Sequence, residues 1–82
     1  MRVLPLHLEL VQYLRERNLE KKFEKQKALI EHNIFYPSLH TELLEPREMH
    51  VWSFRIDKKY RVVFIFRDTG SIEIIDINNH YQ

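Results

Sequence analysis

The sequence predicts an α+β fold, in which an N-terminal helical hairpin packs on a three- to four-stranded antiparallel β-sheet. Apolar residues recur at helical spacing over residues 1–34. After residue 50 the pattern changes to alternation of apolar and polar residues, which is typical of strands. The only glycine, Gly70, lies in a turn between two alternating segments. With 82 residues, we expect one domain, residues 1–82, with one small core.

Two helices are predicted within residues 1–34. Pro5 suits the first turn of the first helix. The apolar stripe of that helix consists of Leu6, Leu10, Tyr13 and Leu14. Asn18 is the predicted break and the N-cap of the second helix, with Glu20 in its first turn. The residues of the second helix that face inward are Leu19, Phe23 and Ile30. The link is short, so the two helices should form an antiparallel hairpin.

The outer face of the second helix carries Lys21, Glu24 and Lys27. Such a mixture of charges indicates a solvated surface more than a dedicated RNA or ribosome contact.

The strands follow a loop. Residues 35–50 contain Pro37 and Pro46, which predict a loop with a short strand or turn within residues 39–44. Three strands are then predicted from the alternating pattern, the last of them in the segment IEIIDIN after the turn at residues 68–71. The aromatic face of this sheet should pack on the helices.

The register of the first hairpin can be predicted from two arginines. If residues 57–59 connect the strands and paired residue numbers sum to 116, Trp52 faces Phe64 and Arg55 faces Arg61. A sum of 117 would place each arginine opposite apolar core positions, and burial of an unpaired charge is unfavourable. The sequence therefore predicts two directly opposed cations on the outer face of the sheet, which we call the arginine face. This arrangement is unfavourable unless an anion binds there.

The second hairpin is predicted to pair residue numbers that sum to 139. This places four residues on the arginine face, namely Ile74, Asp76, Asn78 and His80, and directs Ile75 and Ile77 to the core. A slip of one residue, which would move His80 to the other face, stays open because apolar residues occupy both sides of this strand.

Two interpretations of the arginine face stay open at this point. Guanidinium groups suit bidentate binding of phosphate, and His80 beside them could transfer a proton near neutral pH. In the other interpretation, the strand arginines only extend into water or pair with acids such as Asp76.

Composition excludes several classes of protein. The chain has no cysteine, so disulfides and thiolate metal sites are excluded, and we expect a cytoplasmic protein. No apolar run approaches the length of a membrane span, and no secretory signal is present, so no membrane partner is expected. The net charge is +1, so any nucleic-acid site must depend on the local placement of cations.

Three stretches, TELLEP, WSFRIDKKYRVVFIF and DINNHYQ, resemble the RelE/ParE superfamily of bacterial type II toxins, closest to the YoeB group of RelE-like mRNA interferases. The resemblance covers Phe35 to the C-terminus, and the preceding helix pair also fits it. It implies a RelE-like fold and a toxin that enters the ribosomal A site and cuts mRNA, without a metal or other cofactor. It also implies a cognate antitoxin, a small and partly disordered protein that folds on binding.

The resemblance implies roles for five residues in this cleavage, in which an RNA 2′-hydroxyl attacks the adjacent phosphate. Glu42 would be the general base for that hydroxyl. Arg61, assisted by Arg55, would stabilise charge on the phosphate. His80 would protonate the leaving 5′-oxygen, and Tyr81 would orient or stack on a base.

Lys58 and Lys59, in the connection of the first hairpin, complete the candidate phosphate-binding set. Two other functions stay open. The chain could be a non-catalytic, ParE-like toxin that binds a protein target, or an interaction module whose arginine face binds an acidic peptide or nucleic acid. The resemblance also implies an N-terminal strand, for which only residues 1–4 are available, so we expect that strand to be short or missing.

Overall fold

A computed structural model describes residues 1–79, in which two helices pack on one face of a five-stranded sheet. The helices are α1 (Leu8–Glu16) and α2 (Glu20–His32). The strands are β1 (Arg2–Val3), β2 (Glu42–Leu43), β3 (Trp52–Arg55), β4 (Tyr60–Asp68) and β5 (Ser71–Asn79). The predicted α+β class and helical hairpin are confirmed. The sheet differs from the prediction, because it has five strands and is mixed, with β1 parallel to β5.

The turn between the helices differs from the prediction at Asn18. This residue has φ 55° and follows the end of α1, where its N–H donates to Arg15 O at 3.2 Å. The N–H of Leu19 donates to Leu14 O at 2.9 Å, which completes a Schellman motif. Asn18 is therefore the left-handed residue that ends α1, and Leu19 takes the N-cap position of α2 without a side-chain cap. Asparagine favours both positions, so its presence alone could not distinguish them.

The fifth strand comes from the N-terminus. The strand order is β1-β5-β4-β3-β2, with β1 parallel to β5 and the other neighbours antiparallel. The Arg2 N–H donates to Gly70 O at 2.8 Å, and the Leu4 N–H donates to Ile72 O at 3.0 Å. The N-terminal strand that the resemblance implied is thus present as β1, and it is short, as expected.

The register of the first hairpin is confirmed. Trp52 is paired with Phe64, and Arg55 is paired with Arg61. The predicted short strand within residues 39–44 is β2, which pairs with β3 on the side away from β4.

The second hairpin contains a β-bulge that corrects part of the prediction. The register predicted from the sequence holds up to the pair Val63 and Asp76, but Phe64 is then paired with Ile74. Ile75 is the extra residue and has no partner of its own. Ile74 is therefore in the core, 2% exposed, and Ile75 is 42% exposed, the reverse of the predicted assignment. Both residues are isoleucine, so hydrophobicity could not indicate which one faces inward.

The core lies between the helices and the sheet, and both helices contribute to it. Its buried residues are Val3, Leu10, Leu14, Leu19, Phe23, Ile30, Leu39, Phe54, Ile56, Val62, Phe64, Ile72, Ile74 and Ile77. The three residues predicted to face inward from the second helix are all among them. Within the described part of the chain, neither helix has the length and apolar character needed to cross a membrane.

Candidate functional site

The candidate site is the face of the sheet that points away from the helices. Residues two apart on a strand share a face, and directly paired residues share one too. Since Glu42 is paired with Ser53, and Arg55 with Arg61, all four lie on this side. This is the arginine face, and its members from β2 to β5 are Glu42, Ser53, Arg55, Arg61, Val63, Asp76 and Asn78.

Arg61 is oriented by a neutral partner on the next strand. Its Nε donates to Asn78 Oδ1 at 3.1 Å, and Asn78 Nδ2 donates to Asp76 Oδ2 at 2.7 Å. Asp76 thus acts on Arg61 through the amide of Asn78. Among residues 1–79, neither Arg55 nor Arg61 forms an ion pair. Both guanidiniums keep donors for an anion that approaches the face.

The two arginines form a directly opposed pair of like charges. Residues paired in this way have Cβ atoms about 4.5–5.5 Å apart, and both side chains are partly buried. Their repulsion is unfavourable in the ligand-free protein, and a bound anion would remove it. The pair therefore has the character of an anion site.

Glu42 lies at the edge of the arginine face on the two-residue strand β2. The carboxylate is exposed and, among the described residues, has no hydrogen bond or ion pair. Hydrogen bonds from the residues that precede and follow β2 hold the strand in place. The Thr41 hydroxyl donates to Ile34 O at 2.5 Å, and the Leu44 N–H donates to Val51 O at 2.8 Å. Glu42 is thus a free acceptor on an anchored segment.

The turn of the first hairpin carries the two candidate lysines. Asp57 Oδ1 accepts from the backbone N–H groups of Lys59 and Tyr60, both at 2.8 Å, and Oδ2 accepts from Lys22 Nζ at 3.1 Å. Burial raises the pKa of the Asp57 carboxyl, but these three donors outweigh it and hold that pKa below its ordinary value. Lys59 Nζ lies 5.5 Å from the centre of the Tyr60 ring, and Lys58 is exposed.

The structure brings three of the predicted site residues onto one face: Glu42, Arg55 and Arg61. Lys58 and Lys59 lie in the adjoining turn, and the predicted His80 and Tyr81 are outside the described residues. The sequence analysis placed Asn78 on this face but gave it no role. Within residues 1–79, no three His, Asp or Glu side chains come together as ligands for a metal ion.

Several solved structures share this arrangement of helices and strands. A YoeB/ParE toxin from Agrobacterium tumefaciens matches with a TM-score of 0.73 and 19% identity, over 99% of this chain and 100% of that chain. The chain has the YoeB/ParE toxin fold. A structure of the YoeB-YefM complex from Staphylococcus aureus shares this fold, with a TM-score of 0.70 and 23% identity over 98% of this chain and 94% of that chain.

A third structure with the YoeB/ParE fold is a heterotetrameric YoeB-YefM toxin-antitoxin complex from Staphylococcus aureus, with a TM-score of 0.69 and 23% identity over 98% of this chain and 94% of that chain. No family model matches the sequence, and no curated protein matches it.

Proposed function

We propose that this chain is the toxin of a type II toxin-antitoxin system and a ribosome-dependent endoribonuclease that cuts mRNA. The observation that carries the proposal is the placement of Glu42, Arg55 and Arg61 on one face of a YoeB/ParE fold. A free carboxylate and two cations without ion pairs are the groups that transesterification of an RNA phosphate requires.

In the proposed reaction, Glu42 accepts the proton of a 2′-hydroxyl, and the 2′-oxygen forms a bond to the adjacent phosphorus. Arg61 and Arg55 stabilise the negative charge that grows on the phosphate oxygens. The bond from phosphorus to the 5′-oxygen then breaks, and His80 gives that oxygen a proton. The products are a 2′,3′-cyclic phosphate and a 5′-hydroxyl. Tyr81 orients or stacks on a base beside the cleaved bond.

The expected contributions to the reaction rate are consistent with this division of roles. General acid–base catalysis contributes about 10²–10⁴-fold to a rate. A preorganised group that stabilises developing charge contributes about 10²–10³-fold more. Asn78 assists as a positioning residue, because its hydrogen bond to Nε fixes the plane of the Arg61 guanidinium.

The proposal includes a cognate antitoxin. YoeB of Staphylococcus aureus forms a heterotetramer with YefM, and the similarity of fold supports an equivalent partner here. Since the proposed substrate is mRNA on the ribosome, the expected location is the cytoplasm, and the functional unit is the single domain of residues 1–82.

Primer extension on transcripts tests the proposal when the chain is expressed without an antitoxin. We expect cuts at codon-spaced positions with the wild type, and a loss of about 10²–10³-fold in cleavage with Arg61→Ala. The thermal stability of that variant should change little, because Arg61 lies off the core face. Arg67→Ala is the matched control. Arg67 is on the same strand, about 20 Å away, and its ion pair is with Glu73.

The outcomes separate the alternatives. Growth arrest with intact transcripts would favour the non-catalytic, ParE-like toxin that binds a protein target. Absence of growth arrest would favour an interaction module. Equal cleavage by Arg61→Ala and wild type would remove Arg61 from the mechanism.

A further inference from the structure

A pocket of about 260 Å³ lies next to Arg55, and the proposed mechanism leaves most of it unused. Hydrogen-bond donors from three different segments line it. Ser38 and His40 come from the loop before β2, Arg55 from the end of β3, and Lys58 from the hairpin turn. Among the described residues, the side chains of these four have no hydrogen bond or ion pair. They are available to a ligand.

A buried amide holds the wall of the pocket in place. Gln26 of α2 is only 6% exposed, and its Nε2 donates to Ser38 O at 3.3 Å and to Arg55 O at 2.8 Å. A buried amide with both N–H bonds to backbone carbonyls fixes the segments that carry them. The positions of Ser38 and Arg55 in the pocket are therefore set by the helix layer.

The charge of the pocket favours an anion. Asp57 is its one acidic residue. Both of its carboxylate oxygens are occupied, one by two backbone N–H groups and the other by Lys22 at 3.1 Å. Lys22 thus balances the charge of Asp57, and Arg55 and Lys58 leave the pocket positive.

The local turn depends on the backbone of His40 and not on its side chain. Its φ is 47°, in the left-handed region, where it ends the short 3-10 turn Pro37–Leu39 with an N–H bond to Pro37 O at 3.2 Å. Glycine adopts this conformation with the least strain. The turn therefore needs only the backbone of His40, and the exposed imidazole is free to donate an N–H into the pocket.

We propose that this pocket, which we call the flanking-phosphate pocket, binds the RNA phosphate next to the scissile one. The inference rests on the proposed nuclease function. Arg55 belongs both to the pocket and to the pair with Arg61, so an RNA strand bound on the arginine face continues past Arg55 into the pocket. There the hydroxyl of Ser38, the imidazole N–H of His40 and the ammonium of Lys58 donate to phosphate oxygens.

Binding of a short RNA by the purified chain tests this pocket without the need for catalysis. The RNA has a fixed sequence in which one central nucleotide lacks the 2′-hydroxyl, so the bond after it cannot be cut, and fluorescence anisotropy measures its Kd. We expect His40→Gly and Lys58→Ala each to weaken binding about five- to tenfold, the net size of one hydrogen bond that is open to solvent. Lys25→Ala, which removes an exposed lysine of α2, is the charge-matched control and should leave Kd within about twofold.

A second RNA, with a neutral methylphosphonate at the flanking position, identifies the atom that is bound. We expect this change to weaken binding to the wild type by about the same factor, and to have no effect on the double variant of His40→Gly and Lys58→Ala. Glycine is compatible with a positive φ, so the His40 variant should fold, and circular dichroism checks this.

The pocket proposal is overturned if the wild type does not bind the RNA, if the variants bind like the wild type, or if the methylphosphonate effect persists in the double variant. Transcript cleavage, measured in parallel, separates the two proposals. If the wild type leaves mRNA intact but the binding effects hold, the nuclease function fails and the pocket stands. If the wild type cuts mRNA and the variants cut it with an unchanged KM, only the pocket fails.

Discussion

At the scale of single residues, Asp57 connects the fold to the candidate site. Its carboxylate closes the turn of the first hairpin through the N–H groups of Lys59 and Tyr60, and ties that turn to α2 through Lys22. The same turn carries Lys58 into the flanking-phosphate pocket. The position of that lysine depends on the carboxylate that neighbours it.

We predict that Asp57→Ala lowers the free energy of unfolding by about 1–3 kcal/mol at pH 7, since hydrogen bonds to a charged group are lost. Asp57→Asn, which keeps an acceptor oxygen, should lose less. The folded-state pKa of Asp57 is lowered, so its contribution is complete above the unfolded-state pKa of about 4 and is lost as pH falls below that value. Urea unfolding at pH 7 and pH 3 measures this.

Glu24→Gln is the control for that experiment, because Glu24 is an exposed acid of α2 with no partner in the described part of the chain. Its substitution should change stability by less than about 0.5 kcal/mol at either pH. If Asp57→Ala lost as much stability at pH 3 as at pH 7, the ionised carboxylate would not be the stabilising group.

At the scale of elements, the bulge at Ile75 allows β5 to meet two requirements. Before the bulge, Ile74 faces the core, and after it, Asn78 is opposite Arg61. A continuous strand in the register of the Asn78 end would direct Glu73 toward the core, and one in the register of the Ile74 end would pair Arg61 with Ile77. The bulge therefore accommodates Ile75 while the core end and the site end of β5 both keep their pairing.

We predict that deletion of Ile75 changes the free energy of unfolding by less than about 1 kcal/mol. The deletion closes the bulge, because Ile74 stays paired with Phe64, Asp76 stays paired with Val63, and the two residues become consecutive. Ile75→Thr, which keeps a β-branched side chain at an exposed position, should lower it by less than about 1 kcal/mol. Chemical denaturation followed by Trp52 fluorescence gives both values. A loss of more than about 2 kcal/mol on deletion would show that β5 does not close the bulge and shifts its register instead.

Some of these elements could be predicted from the sequence, because charged side chains restricted the possible strand registers. Two arginines in one hairpin left a single register that avoids a buried charge, and the structure has that register. In β5 no charge distinguishes Ile74 from Ile75, so the bulge could not be predicted. β1 is two residues long, which is too short for any periodic pattern. The role of Glu42 as a candidate base came from the resemblance, because a loop carboxylate alone carries no signal, and its position on the arginine face is a finding of the structure.

At the scale of the whole molecule, two surfaces that carry cations bear on the proposed RNA binding. One comprises the arginine face and its adjoining turn, and the other is the exposed side of α2, where Lys21 and Glu24 lie. The sequence favoured a solvated role for the second surface. With a net charge of +1, the proposed RNA binding depends on a small number of locally placed cations.

We predict that log Kd for the uncleavable RNA changes with log salt concentration by a slope of magnitude about 2–3, since each of three or four neutralised phosphates on a single strand contributes about 0.7. The contributing cations are Arg55, Arg61, Lys58 and Lys59. Lys58→Ala should reduce the slope by about 0.7, and Lys21→Ala should leave it unchanged. A slope of magnitude above about 5, reduced by Lys21→Ala, would show that α2 also contacts the RNA.

The opposition of Arg55 and Arg61 has a practical consequence for work with the purified protein. Any polyanion that neutralises the two side chains in the folded state, and has no equivalent place on the unfolded chain, raises the melting temperature by mass action. Nucleic-acid fragments carried over from cell lysates would therefore make a preparation look more heat-resistant than the clean polypeptide.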